Sequence, residues 1–162
     1  MRKDSLITPE IKAMIGQEVY FGGTEVIDRS SIRRYAQAIL DLNPLYLDEE
    51  YAKETPYGGI IAPPTFIFEV SNNIFSEVGE DGRDLSRIIL PGFKLARGGN
   101  EYEIFQPARP GDIVNLRRKI IDIYEKDSQA VGKIIFVIYD MTYSNHEGKL
   151  LGVNRETLMF FK

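Results

Sequence analysis

The stretch Asp41-Leu42-Asn43-Pro44-Leu45-Tyr46 sets an acid, an amide and a phenol at fixed spacing, directly after an amphipathic run. Those residue types suit proton transfer, in which a carboxylate and a second group move protons on a bound substrate. Each also has a plain structural use. Asp41 falls at a helix C-terminus, where a carboxylate opposes the helix dipole, and that unfavourable placement hints at a task. Asn43 before Pro44 is a turn signal. Tyr46 can donate a hydrogen bond, but with a reference pKa of about 10 a phenol is a poor base at neutral pH. Its structural alternative is to pack its ring in an overhanging segment with the hydroxyl at the surface.

Few residues elsewhere can serve as a base at neutral pH. The chain has 162 residues and one histidine, His146, set in Ser144-Asn145-His146-Glu147-Gly148. That composition reads as a hairpin turn between two strands, so His146 is expected to be a solvated loop residue. A lone histidine leaves no histidine-pair zinc site and argues against a Ser-His-Asp arrangement within the chain. Cysteine is absent, which removes disulfides and thiol nucleophiles and fits a reducing cytoplasm. No metal or redox cofactor is implied.

The composition is that of an ordinary globular chain, 43% hydrophobic and 27% charged, long enough for one full core. A single domain over 1–162 is expected. The net charge of −4 gives no basic signal for nucleic acid. The apolar runs around 60–68 and 133–141 are too short to span a bilayer. Asp4, Glu10 and Lys12 interrupt the N-terminus, which argues against a signal peptide.

The elements that must hold Asp41 to Tyr46 in place follow from periodicity. Residues 17–27 read as a strand or strand pair broken at Gly22-Gly23, and Ser30 or Ser31 is placed to cap a helix. In that helix Ile32, Tyr35, Ala36, Ile39 and Leu40 recur at i, i+3, i+4, i+7 and i+8, predicting one buried face. Pro44 is expected to stop it. Residues 43–63 read as irregular, with one short helical turn near 48–54 and positive φ at Gly58-Gly59.

A second helix is predicted over 64–78, with Pro64 in its first turn. Phe66, Ile67, Phe68, Val70, Ile74, Phe75 and Val78 cover much of its circumference, so it is buried. Phe66, Ile67, Val70 and Phe75 serve either the core or the lining of an apolar channel; periodicity does not separate the two. Long strands follow over 87–108, 112–126, 129–145 and 149–161. In the third, Val131, Ile135, Val137, Tyr139, Met141 and Tyr143 share one face, while Ile134, Phe136 and Ile138 make the other apolar too. That strand is central. The layout is α+β, a long antiparallel sheet wrapped around one buried helix, which is the hot-dog arrangement.

With these elements in place, residues 33–67, "RRYAQAILDLNPLYLDEEYAKETPYGGIIAPPTFI", resemble the MaoC-like hydratase/dehydratase family. More narrowly, they resemble the N-terminal, non-catalytic half or subunit of fatty-acid-synthase-type dehydratases. Residues 105–112, "FQPARPGD", look like the family's next strand and turn. In (R)-specific enoyl-CoA hydratases of this fold the segment runs Asp-x-Asn-Pro-x-His, and the acid and the histidine together move a water and a proton across the enoyl thioester. Asp41, Asn43 and Pro44 match. Tyr46 stands in the histidine's place. The family's Ala-His-Gly segment, whose glycine amide polarises the thioester carbonyl, reads Ala62-Pro63-Pro64, and proline has no N–H to offer an oxyanion.

The resemblance implies a substrate-binding, non-catalytic subunit of an (R)-specific 3-hydroxyacyl-thioester dehydratase, with an acyl-CoA or an acyl carrier protein thioester as substrate. Its partner is a MaoC-like catalytic subunit or a second copy of itself. Asp41 and Asn43 are then motif remnants, and Ala62, Pro63, Phe66 and Arg97 are candidate substrate contacts. Arg33, Arg34, Lys94, Arg97 and Arg109 either face solvent or meet phosphates or an acidic carrier surface. Two rivals stand beside this. One is a self-sufficient hot-dog hydratase or thioesterase using Asp41 or Glu69. The other is a non-enzymatic module that binds acyl-CoA or acyl carrier protein.

Overall fold

The computed structural model describes residues 5–72 and 87–162. Its first half holds α1 (Pro9–Lys12), β1 (Glu18–Phe21), α2 (Arg29–Ala38), α3 (Pro44–Leu47), α4 (Glu49–Lys53) and α5 (Phe66–Asn72). Its second half is the expected run of long strands, β2 (Lys94–Ile104), β3 (Val114–Ser128), β4 (Gly132–Asn145) and β5 (Leu150–Phe161). Among the described residues these five strands form one antiparallel sheet in the order β1-β3-β4-β5-β2.

β4 is central, as its two apolar faces predict. Val137 lies opposite Ile123 of β3 and Leu158 of β5. Ile135, Val137, Tyr139, Met141 and Tyr143 are buried on one face. Ile134, Phe136 and Ile138 on the other face are half-buried, so the chain itself covers that side only in part. There Tyr124 and Phe136 stack at 5.0 Å and 10°.

α5 lies on the buried face. Phe66 and Ile67 enter the core, and the ring of Phe68 sits 4.9 Å from Tyr143 and 4.5 Å from Tyr102. Gly152 makes room for this helix. A Cβ there would stand 2.8 Å from Ile67 Cδ1 and 3.0 Å from the Glu103 carbonyl oxygen, closer than packed atoms allow. Of the helix predicted to run to Val78, Ile74, Phe75 and Val78 lie outside the described residues.

Three local readings are corrected. The cap of α2 is Asp28, not Ser30 or Ser31. Asp28 Oδ1 accepts the Ser31 N–H at 2.6 Å and Ser31 Oγ accepts the Asp28 N–H at 3.2 Å, a reciprocal capping box. α2 also ends at Ala38, well before Pro44. Leu40 turns to a φ of 58°, its N–H bonds the Gln37 carbonyl, and the Asp41 N–H reaches the Ala36 carbonyl at 2.9 Å. That is a Schellman ending, with leucine where glycine is usual. It swings Ile39 and Leu40 away from the buried stripe of Ile32 and Ala36, leaving Leu40 85% exposed. Pro44 therefore opens α3 at its first position instead of closing α2.

Candidate functional site

The turn that ends α2 positions the motif. Asp41 spends its N–H on the helix end and leaves its side chain exposed. Asn43 is the cap of α3, its Oδ1 accepting the Leu45 N–H at 3.0 Å. One turn on, Tyr46 is 8% exposed. Its ring packs and its hydroxyl is left at the surface, as the structural reading expects. Among the described residues its hydroxyl has no hydrogen-bond partner. Burial first, and then the negative charge of Asp41 and the neighbouring Tyr57, push its pKa above the ordinary phenol value. Tyr46 is thus protonated at neutral pH, a donor and not a base.

Backbone bonds bring the second landmark beside the first. The Ile61 N–H donates to the Leu45 carbonyl at 3.2 Å, and the Ala62 N–H donates to the Ala108 carbonyl at 2.8 Å. Pro63 is fully buried between these ties and α5, and its carbonyl accepts the Phe66 N–H at 2.9 Å. The Ala62 N–H is committed, and Pro63 and Pro64 have none, so three consecutive residues present no free amide. Tyr35 closes the arrangement from α2, its hydroxyl 2.9 Å from Thr65 Oγ1 and its ring 5.1 Å from Phe66. Arg109 anchors the intervening loop by donating to the Tyr57 carbonyl at 2.7 Å, and Gly58 and Gly59 in that loop take positive φ.

Asp41, Asn43, Tyr46, Ala62, Pro63 and Phe66 therefore fall along one linked segment running from the end of α2 to the start of α5. Arg97 does not join them. It stands on β2 with its side chain largely exposed and Nε 3.8 Å from Glu156 Oε1. His146 lies in the β4–β5 turn, where its Nδ1 accepts the Ile113 N–H at 3.3 Å. That bond gives the single histidine a structural use at the turn.

Sequence reasoning passed over a charged cluster under the sheet. Arg118 and Glu156 are each 2% exposed on the face that α5 covers. Arg87 forms an ion pair with Glu156, and the Tyr139 hydroxyl accepts the Ile88 N–H at 2.9 Å. The Arg118 guanidinium lies over the rings of Phe21 and Tyr139 at 5.1 and 5.7 Å. A cavity of about 260 Å³ opens beside them, with apolar walls from Met14, Val19 and Ile120. The signal was present in strand parity. Arg118 alternates in phase with Leu116 and Ile120, and Glu156 with Leu158 and Phe160, so both charges had to point inward.

Among the described residues no helix is long and apolar enough to cross a membrane. The fold is shared with solved structures. A MaoC-like dehydratase from Rhodospirillum rubrum superposes with a TM-score of 0.67 at 19% identity, covering 91% of this chain and 92% of that one. The HadBC (3R-hydroxyacyl-ACP dehydratase) complex from Mycobacterium tuberculosis gives 0.64 at 20% identity, over 90% and 96%. In sequence, a UPF0336 protein of Streptomyces avermitilis is 34% identical over 100 residues, 60% of this chain and 62% of that relative's length. The match thus reaches only part of the relative. The model of the FAS1-like dehydratase domain region matches residues 13–152. The chain belongs to that family, whose fold here is the MaoC-like hot dog.

Proposed function

We propose that this chain is the substrate-binding, non-catalytic subunit of an (R)-specific 3-hydroxyacyl-thioester dehydratase, paired with a MaoC-like subunit that supplies the acid and histidine. Dehydration of such a thioester needs three things of an enzyme. A base must take the α-proton, an acid must protonate the departing hydroxyl, and a donor must meet the charge that develops on the thioester oxygen. At the two landmarks where this family places those groups, the chain offers a protonated phenol and two prolines.

The observation that carries the reading is Tyr46, buried and held in its neutral form at the histidine's position. Pro63 adds to it, because no rotation of the segment can supply the missing N–H. The single histidine sits on a turn and is hydrogen-bonded there. The likeness to the HadBC complex supports a dehydratase assembled from two related chains. A partner fits the sheet as well. β2 is a long outer strand whose Leu95, Tyr102 and Ile104 are exposed, the kind of edge that a second sheet covers.

The test is an assay of crotonyl-CoA hydration by the purified chain, alone and with a histidine-containing MaoC-like chain. The pair is expected to be active and the lone chain to stay at background. Strong activity from the lone chain overturns the proposal and favours the self-sufficient enzyme. In that case Asp41→Asn abolishes the activity if Asp41 is the acting acid.

A further inference from the structure

The turn over residues 107–112 reaches the motif segment at two points. Its Ala108 carbonyl accepts the Ala62 N–H at 2.8 Å, and the Arg109 guanidinium donates to the Tyr57 carbonyl at 2.7 Å, 52 positions away in the chain. Residues 57–62 are therefore a short arch, pinned at both feet to neighbouring residues of one turn. The turn is itself held. Asp112 accepts the Arg109 N–H through Oδ2 and the Asn145 side-chain amide through Oδ1, each at 2.8 Å, and Asn145 is buried at the end of β4. Two backbone bonds join the turn to Ile27. The Ile27 N–H donates to the Asp112 carbonyl at 2.8 Å, and the Gly111 N–H donates to the Ile27 carbonyl at 2.9 Å. Position thus passes from the sheet through Asp112 and Arg109 to Tyr57.

The outer half of the arch has few other restraints. Gly58 and Gly59 take φ of 67° and 156°, and no atom lies within 4 Å of where a Cβ would stand on either. Tyr57 is half-exposed. Its N–H and that of Gly58 bond to Thr55 of the same loop, and the next tie to another element is the Ile61 N–H on the Leu45 carbonyl. Over residues 56–60, the Arg109 bond is the one hydrogen bond among the described residues that comes from another part of the fold. A bond from a charged donor is also stronger than one between neutral groups. The arch borders the candidate site, since it ends on Ala62-Pro63 and Tyr57 neighbours Tyr46. We propose that Arg109 is a positioning residue of the thioester site: it holds residues 57–61 in place through the Tyr57 carbonyl and does not itself touch the substrate. This assignment rests on the proposed thioester reading. It differs from a direct contact between Arg109 and phosphate in what it asks of the ligand. A thioester without phosphate loses as much when the brace is removed.

The experiment compares the parent chain, Arg109→Ala and Arg109→Lys, each with the MaoC-like partner, in hydration of crotonyl-CoA and of crotonylpantetheine, which has no phosphate. Arg109→Ala is expected to raise KM about tenfold and to leave kcat near the parent value, because a released arch spends less time in the position that binds. The rise should be equal for the two thioesters. Arg109→Lys, which still donates from a cation, should recover part of it. Amide exchange of each chain gives a readout without substrate. Gly58 and Ile61 should exchange faster in Arg109→Ala, while Ile32 in α2 keeps its rate. A KM rise confined to crotonyl-CoA overturns the proposal in favour of direct phosphate contact. Faster exchange at Ile32 as well as Gly58 overturns it in favour of a general loss of stability. A fall in kcat at unchanged KM overturns the role in binding. Unchanged exchange at Gly58 overturns the brace whatever the kinetics. Faster exchange at Gly58, in a chain whose parent pair turns over neither thioester, keeps the brace but ends the thioester reading and with it this task of Arg109.

Discussion

At the scale of single residues, Tyr46 separates packing from chemistry. Its ring is buried while its hydroxyl bonds to nothing in the described protein, so the two parts can be removed one at a time. Tyr46→Phe is expected to change stability by no more than about 0.5 kcal/mol, since no intramolecular hydrogen bond is lost. Tyr46→Ala empties a core position and should cost about 3 kcal/mol, read from denaturant unfolding. The phenols also set an alkaline limit. Burial is the leading cause that raises the pKa of both Tyr46 and Tyr139 above 10.0, opposed at Tyr139 by the Ile88 N–H and the two nearby arginines. A group whose folded pKa is raised adds stability that is whole below its unfolded value and is lost as pH climbs through the folded one. Unfolding free energy should therefore fall above pH 10, with a shallower fall in Tyr46→Phe. A profile flat to pH 11 contradicts the burial argument.

At the scale of elements, the ends and contacts of the helices decide where the motif sits. Leu40 occupies a left-handed backbone conformation that costs a leucine roughly 1 kcal/mol or more, and its side chain is exposed. Leu40→Gly should raise stability by about 0.5–1 kcal/mol, partly offset by the greater freedom of glycine in the unfolded chain. Thermal or urea unfolding measures this, and a destabilised variant means that Leu40 packs against something. Gly152→Ala should do the opposite. Its new methyl meets Ile67 and the Glu103 carbonyl and pushes α5 off the sheet, at about 1–3 kcal/mol. These two sites also show where sequence is legible. The apolar alternation of β4 announced a central strand, and Phe66 and Ile67 of the predicted helix enter the core, because each pattern matches the repeat of its element. The end of α2 was not legible. A Schellman turn is normally read from a glycine, and Leu40 continues the apolar stripe that a longer helix would show. Asp28 was passed over for the serines beside it, although Asp28 and Ser31 at i and i+3 make the reciprocal pair of a capping box.

At the scale of the molecule, the sheet and its helix form a scaffold that presents one segment, residues 41–66, between α2 and α5. Part of that segment was legible, since Asn43 before Pro44 signals the turn at which α3 begins. Its surroundings were not. Arg29, Arg33 and Tyr46 lie 13 and 17 residues apart in sequence at their widest, and only the fold of α3 back toward α2 puts them around one cavity. The ion pair of Arg87 with Glu156 likewise joins residues far apart in the chain. The account predicts a division of labour, in which this chain holds the thioester while another moves the protons. The most direct test is crotonyl-CoA hydration at matched protein concentration by this chain alone, by a MaoC-like partner alone, and by the two together. The account predicts background turnover from this chain alone and full turnover from the pair. Turnover by this chain alone that equals the pair and vanishes in Asp41→Asn would contradict it.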